Sequence, residues 1–358
     1  MRSEWANTTT ATPQPDGTYR IVGHKWFTSA PMSDILLTLA QAPGGLTCFV
    51  LPRVLPDGSL NPILLHRLKD KLGNRSNASS ELEYEHATGW RLGDEGRGVP
   101  TIIEMVNGTR LDCTLASATL MRHGVQLAAH HVSHRAAFGR TLIDQPLMRN
   151  VIADLAVEAE GATTVGLWLA SLIDAELEGD ARAGLLRRIG LAASKFSVCK
   201  RGPVHTAEAL ECFGGNGYVE DSRMPRLYRE APLLSVWEGS GNVAALDTLR
   251  AIGKQPDALE AMFDEFDLAS GADARLDRFV AATKAHFSSL DSLEFRARTV
   301  VGDLALALQA SLLVRCGHPA VADAFVASRL DRDWGSNFGT LQPGIDAAAI
   351  IDRATPSL

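Results

Sequence analysis

The stretch Gly96-Arg97-Gly98-Val99-Pro100-Thr101-Ile102-Ile103-Glu104-Met105-Val106 divides the chain into two kinds of sequence. From Pro100 to Phe138 apolar residues recur at helical spacing: Ile102, Met105, Val106, Leu111, Leu115, Ala118, Met121, Val125, Ala128 and Val132. That row predicts one long helix, stopped by Gly139. Upstream the pattern is different. Residues 19–28, 34–40, 46–51 and 81–85 are short runs, several of them β-branched or aromatic. Pro15-Asp16-Gly17, Pro43-Gly44-Gly45, Pro56-Asp57-Gly58 and Gly73-Asn74 separate them as turns. Short strands at such spacing predict a small β-sandwich or barrel over residues 1–96.

Downstream, Asp144-Gln145-Pro146 opens a second helix, with proline near the first helical position, and Gly179 closes it. A third helix is expected from about 181 to 213, ending in Gly214-Gly215, and a fourth from about 240 to 252. Long helices with short joints make an antiparallel bundle over 97–252. Residues 253–358 read as a helical extension with breaks at Pro256, Gly271, Gly302, Pro319 and 333–343. The predicted class is α+β, mostly α: a small β-domain, a helical bundle and a helical extension.

Composition narrows the function classes. The 358 residues carry a net charge of −7, which gives no electrostatic reason to expect nucleic acid or an anionic membrane as main partner. Five scattered cysteines without a C-x-x-C pair favour free thiols in a reducing compartment. The first ten residues hold no secretory apolar segment. The longest apolar stretch, residues 300–314, is interrupted by Gly302, Asp303, Gln309 and Ser311. The expectation is a soluble, cytoplasmic protein with no membrane partner.

Four local sequences carry the reading further. They are Lys25-Trp26-Phe27-Thr28-Ser29, Arg135-Ala136-Ala137-Phe138-Gly139, Gly214-Gly215-Asn216-Gly217-Tyr218 and Trp237-Glu238-Gly239-Ser240-Gly241-Asn242. As an ordered set over residues 7–252 they resemble the acyl-CoA dehydrogenase family, and specifically its alkylation-response (AidB-like) branch. The resemblance implies an FAD-dependent oxidoreductase of acyl-CoA substrates, a homo-oligomer (tetramer or dimer), and leaves the electron acceptor open. It also implies an N-terminal helical domain ahead of the Asn7-Thr8-Thr9 stretch. Met1 stands close to where that domain would end, so a chain lacking it, and one wall of the acyl pocket, is expected.

Glu238 lies between the apolar run 232–237 and a Gly-Ser-Gly turn. By itself it is either a helix-entry carboxylate favoured by the macrodipole or a carboxylate in an apolar pocket serving as a base. The resemblance implies the base: it takes the α-proton of an acyl thioester while a hydride passes from the β-carbon to flavin N5. Gly239 and Arg110 are then expected beside the substrate, where backbone N–H groups polarise the thioester carbonyl. Trp26 and Thr28 are expected against the isoalloxazine, and strict alternation along a strand would put both on one face. The resemblance implies that Arg135 reaches the FAD pyrophosphate of a neighbouring subunit, with Phe138 and Gln145 nearby. Gly214 and Gly215 let the backbone approach the cofactor, where a helix C-cap is the simpler reading. Ser240 and Asn242 suit the far end of FAD. Glu211 stands where most of the family has glutamine, although the alkylation-response branch also carries glutamate there.

His130 and His134 form an i, i+4 pair, but no zincin-type glutamate or cysteine partners them, so no metal is expected. The competing functions are a flavin-containing DNA-binding, DNA-protecting protein with weak dehydrogenase activity, and an inactive fragment of either. Charge speaks against DNA as partner: residues 254–358 hold ten Lys/Arg against fifteen Asp/Glu, a net −5.

Overall fold

Tyr19–Thr28 forms the long strand β2 over the span its composition predicts. In the computed structural model, which describes residues 7–288, 292–331 and 337–355, it belongs to the first of two compact units, Met1–Gly108 and Thr109–Leu358. The other strands of the first unit are β1 (Thr10–Pro13), β3 (Ile35–Ala42), β4 (Gly45–Pro52), β5 (Ile63–Leu68) and β6 (Ser80–Leu92). Pairings run β1–β2, β2–β6, β6–β4, β4–β3 and back to β1 through Thr10↔Gln41, so the sheet closes into a barrel. Closure removes the open edges that invite strand pairing with other chains. β5 is added outside the ring, on β6. Inward residues of alternating strands fill the core: Tyr19, Ile21, Phe49, Leu51, Leu82 and Tyr84.

Two of the sheet's bulges shape the outer face. In β2 the register slips between Lys25 and Thr28, and in β5 between Leu65 and Arg67. The first overturns the alternation argument for Trp26 and Thr28. Lys25 pairs with Leu82 and Thr28 with Ser80, both on the inward side of β6, whereas Trp26 and Phe27 are both exposed. The extra residue shifts the phase by one, and Thr28 leaves the face that Trp26 occupies.

The second unit is helical. Helix α1 (Gly98–His134) begins in the first unit and continues into the second. It is followed by α2 (Pro146–Leu177), α3 (Ala181–Glu211), α4 (Met224–Leu234) and α5 (Gly241–Lys254). Then come α6 (Pro256–Asp267), α7 (Ala274–Ala285), α8 (Ala297–Cys316), α9 (Pro319–Phe325) and α10 (Ala347–Ala354). Helix α1 ends at His134, short of the expected Phe138. Phe138 and Gly139 both have positive φ, +53° and +84°, and form the two-residue turn of a hairpin between Ala136–Ala137 and Arg140–Thr141. Gly302 does not break α8; it lies within it. Part of the expected break at 333–343 falls outside the described residues. Helix α8 is long and apolar enough to cross a membrane by length and composition, yet Val300, Val301, Leu304, Leu308 and Leu312 lie buried in the unit's core. The five cysteines are free thiols.

One polar cluster sits inside this apolar core. Arg329 places Nη1 2.5 Å from Asp154 Oδ1 and Nη2 3.0 Å from Glu158 Oε2. Arg201 on α3 adds a bond to Glu158 Oε1 at 3.1 Å. Burial would raise the Glu158 carboxyl, but Arg201 and Arg329 outweigh it and hold the pKa at about 2. His205, packed beside them, is pushed down to about 4 by burial and stays neutral at pH 7.

Glu158 therefore supplies stability above its unfolded value of 4.5, and that contribution is lost as pH falls from there toward about 2. Removing its charge leaves Arg329 and Arg201 facing a neutral group. Glu158→Gln is expected to cost about 3–5 kcal/mol in urea unfolding at pH 7. The difference from the parent protein is expected to shrink as the titration is repeated at progressively lower pH through that window.

Candidate functional site

The link from α4 to α5 carries Glu238, and its backbone is unusual. Glu238 has φ +55° and Gly239 φ +101°, so two successive residues leave the right-handed and extended regions. The left-handed region costs a non-glycine residue roughly 1–2 kcal/mol. A Cβ added at Gly239 would also stand 3.0 Å from Val243 Cγ1.

Two buried cations hold this shape. Lys195, at the middle of α3 and 1% exposed, donates through Nζ to the carbonyls of Trp237 and Gly239, both at 2.5 Å. Arg110 on α1, 4% exposed, donates through Nε to the carbonyl between them, that of Glu238, at 3.1 Å. Three consecutive peptide carbonyls are thus fixed from outside the link. Arg110 is balanced by Asp247 on α5 at 2.7 Å, which Arg188 also reaches at 3.3 Å. Burial would raise the Asp247 carboxyl, but Arg188 and Arg110 outweigh it and keep it below its ordinary value. Burial pushes the Lys195 amine down. Cys113 and Cys199, close by, are pushed up by burial to about 11 and about 12, so neither is a thiolate at pH 7. Among the described residues the half-buried Glu238 carboxylate makes no hydrogen bond or ion pair. Its backbone is pinned and its side chain is not.

The resemblance puts Arg110 beside the substrate; here its donors serve the Glu238 carbonyl and Asp247. Lys195 was not singled out by sequence. A signal existed: Leu191, Ala192, Val198 and Cys199, one turn away on either side, are all buried, so this lysine lies on the apolar face of its helix. Ser240 is the N-cap of α5, and Asn242 Oδ1 accepts from Arg298 Nε at 2.8 Å.

A second group lies at the far end of the bundle. Arg135 and the 96% exposed Phe138 sit on the short hairpin, to which Gln145 is tied by a 3.3 Å bond from Nε2 to the Ala137 carbonyl. The His131 ring stacks on Phe213 at 4.4 Å, which brings the ends of α1 and α3 together. Glu211, Gly214 and Gly215 therefore belong to this end; Cβ atoms built on the two glycines would meet nothing within 4 Å. Arg110 and His131 are about six turns apart on α1, roughly 30 Å along its axis. One chain does not bring the two groups together.

The third group is in the barrel unit. Trp26 is 56% exposed, and the Lys69 ammonium lies 3.1 Å from its ring centroid, with Arg67 at 5.6 Å. Lys69 is itself paired with Glu81 at 2.5 Å.

Comparison with known proteins matches residues 2–87 to the acyl-CoA dehydrogenase middle domain and 96–253 to the acyl-CoA dehydrogenase C-terminal domain. The chain is 44% identical over 330 residues to the putative acyl-CoA dehydrogenase AidB of Escherichia coli, covering 92% of this chain and 60% of that protein. It thus spans less than two thirds of that relative's length. Caenorhabditis elegans ACDH-11, solved in complex with C11-CoA, superposes with a TM-score of 0.81 at 28% identity, covering 96% of this chain and 64% of that one. At 14% identity, the acyl-CoA dehydrogenase of Bacillus anthracis, solved with FAD, shares the fold with a TM-score of 0.75, covering 98% of this chain and 68% of that one.

A strained glutamate that serves chemistry should not be needed for folding. Glu238→Gly removes the left-handed penalty at some cost in chain entropy, and is expected to leave stability unchanged or raise it by about 1 kcal/mol in urea unfolding. A loss of stability beyond about 1 kcal/mol would show that the side chain holds the fold.

Proposed function

This chain belongs to the acyl-CoA dehydrogenase family, and we propose that it carries out FAD-dependent α,β-dehydrogenation of an acyl-CoA thioester with Glu238 as the base. The observation that carries the reading is the link 237–239. A non-glycine residue is held in left-handed backbone by two buried cations, while its carboxylate makes no hydrogen bond or ion pair among the described residues. Such strain persists where the surroundings over-determine it, and it collects at sites of chemistry.

The residues present fit a flavin dinucleotide. Trp26 and Phe138 are exposed aromatic surfaces, the first on a bulged strand and the second on a turn braced by Gln145. Gly214 and Gly215 expose backbone with open space where side chains would be. Arg135, at the base of the hairpin, is an exposed guanidinium suited to phosphate oxygens. FAD, when bound, supplies the acceptor for the β-hydrogen and its electron pair. Glu238 accepts the α-proton at its carboxylate. Lys195 and Arg110 keep that carboxylate's peptide in one orientation, so the base does not reorganise as the proton moves. Because the Glu238 and Arg135 groups lie roughly 30 Å apart along α1, a complete site takes them from different copies of the chain. This supports a homo-oligomer.

The DNA-binding alternative gains little from six cations of the C-terminal region, which are already engaged. Arg275, Arg278, Lys284, Arg315, Arg329 and Arg353 are all ion-paired to carboxylates. Phosphate binding would have to displace those partners.

Two measurements test the proposal. The protein is expected to bind FAD, and Arg135→Ala to weaken that binding while the helical circular dichroism is unchanged. Under anaerobic mixing with short, branched and long acyl-CoAs, Glu238→Gln is expected to keep FAD but to bleach it roughly 10²–10⁴ times more slowly. Bleaching at the parent rate would remove Glu238 from the mechanism, and failure of the parent protein to take up FAD would remove the whole reading.

A further inference from the structure

We propose that His24, His66 and Glu83 form a site for one divalent first-row transition-metal ion, of the zinc type, on the outer face of the barrel. The donors come from three strands. His24 on β2 is directly paired with Glu83 on β6, and its Nδ1 lies 3.1 Å from Glu83 Oε2. His66 on β5 is the extra residue of the bulge between Leu65 and Arg67. A bulge re-aims the side chain it carries, and here His66 Nε2 comes to 3.8 Å from the same carboxylate oxygen. The three donor atoms all lie within 4.8 Å of one another.

For His66 that spacing suits a metal better than it suits hydrogen bonding. Zinc–ligand bonds of 2.0–2.2 Å in a tetrahedron put donors about 3.3–3.5 Å apart. The observed 3.1 and 3.8 Å bracket that separation, and the third pair lies within 4.8 Å, so rotation of the exposed rings closes the set. A cross-strand His–Glu pair is common and worth little, and it accounts for His24. It does not account for His66, which is too far from the carboxylate for a hydrogen bond. Two imidazoles and one carboxylate select borderline metals, whereas magnesium and calcium want oxygen donors. Side-chain exposure of 41%, 51% and 30% for His24, His66 and Glu83 leaves positions for water or another ligand. Arg67 and Lys69, which follow His66 in the chain, are engaged with Glu81 and not with Glu83. The proposal is independent of the role of Glu238.

The test uses protein free of any polyhistidine tag, stripped with chelator and titrated with zinc by calorimetry and with cobalt(II) by visible absorption. One equivalent is expected to bind, with the visible bands of four- or five-coordinate cobalt. His66→Ala and Glu83→Gln are each expected to weaken binding roughly tenfold or more. The double variant His130→Ala/His134→Ala is expected to bind as the parent does. Absence of stoichiometric binding would overturn the site. So would full affinity in folded His66→Ala and Glu83→Gln, or loss of binding in the His130/His134 variant.

Discussion

A buried ammonium is costly, and the position of Lys195 makes sense only through what it holds. Its charge is out of water on the inner side of α3, and its protons go to two main-chain carbonyls on either side of Glu238. With Arg110 on the middle carbonyl, the link from α4 to α5 has little freedom left. The rest of that end of the bundle is arranged around this demand. Arg110 requires Asp247, and Asp247 is shared with Arg188, so α1, α3 and α5 meet at one carboxylate. The same logic governs Glu158, Asp154, Arg201 and Arg329, which tie the segment after α9 to α2 and α3. In each case charge is stabilised inside by several partners, and losing one partner costs far more than an exposed pair would.

Much of the fold was legible in the sequence, and the misses have physical causes. Turn residues between β-branched or aromatic runs located β2, β3, β4 and part of β6. β1 and β5 were not found: β1 is four residues ending in Pro13, and β5 is interrupted by a bulge and largely exposed. Helix α4 was not anticipated: it is only eleven residues long and holds Pro225 and Pro232. One sits at the first turn, where its missing N–H is no loss, and the other near the end. The end of α1 was misplaced because apolar spacing does not register a left-handed backbone at Phe138.

The candidate site divides in the same way. Glu238, Arg135 and the glycine pair stand out by local sequence, since exposed motifs are carried in short words. Lys195 does not, because its meaning depends on a loop 42 residues later. The bulge at Trp26–Phe27 is likewise invisible to an alternation argument, which assumes that every strand residue is paired. Long-range partnership and local register are the two things that composition and periodicity do not encode. Both bear on the site's geometry rather than on which fold is adopted.

The left-handed pair at 238–239 also restricts how this sequence is free to drift. At position 239 any side chain meets Val243 and a disfavoured φ at once, so replacement there requires at least one compensating change in α5. At position 238 only glycine, asparagine and aspartate adopt the backbone with little strain, and none of them carries a carboxylate at the reach of glutamate. No single-residue path therefore moves the acid along the chain while keeping the link intact.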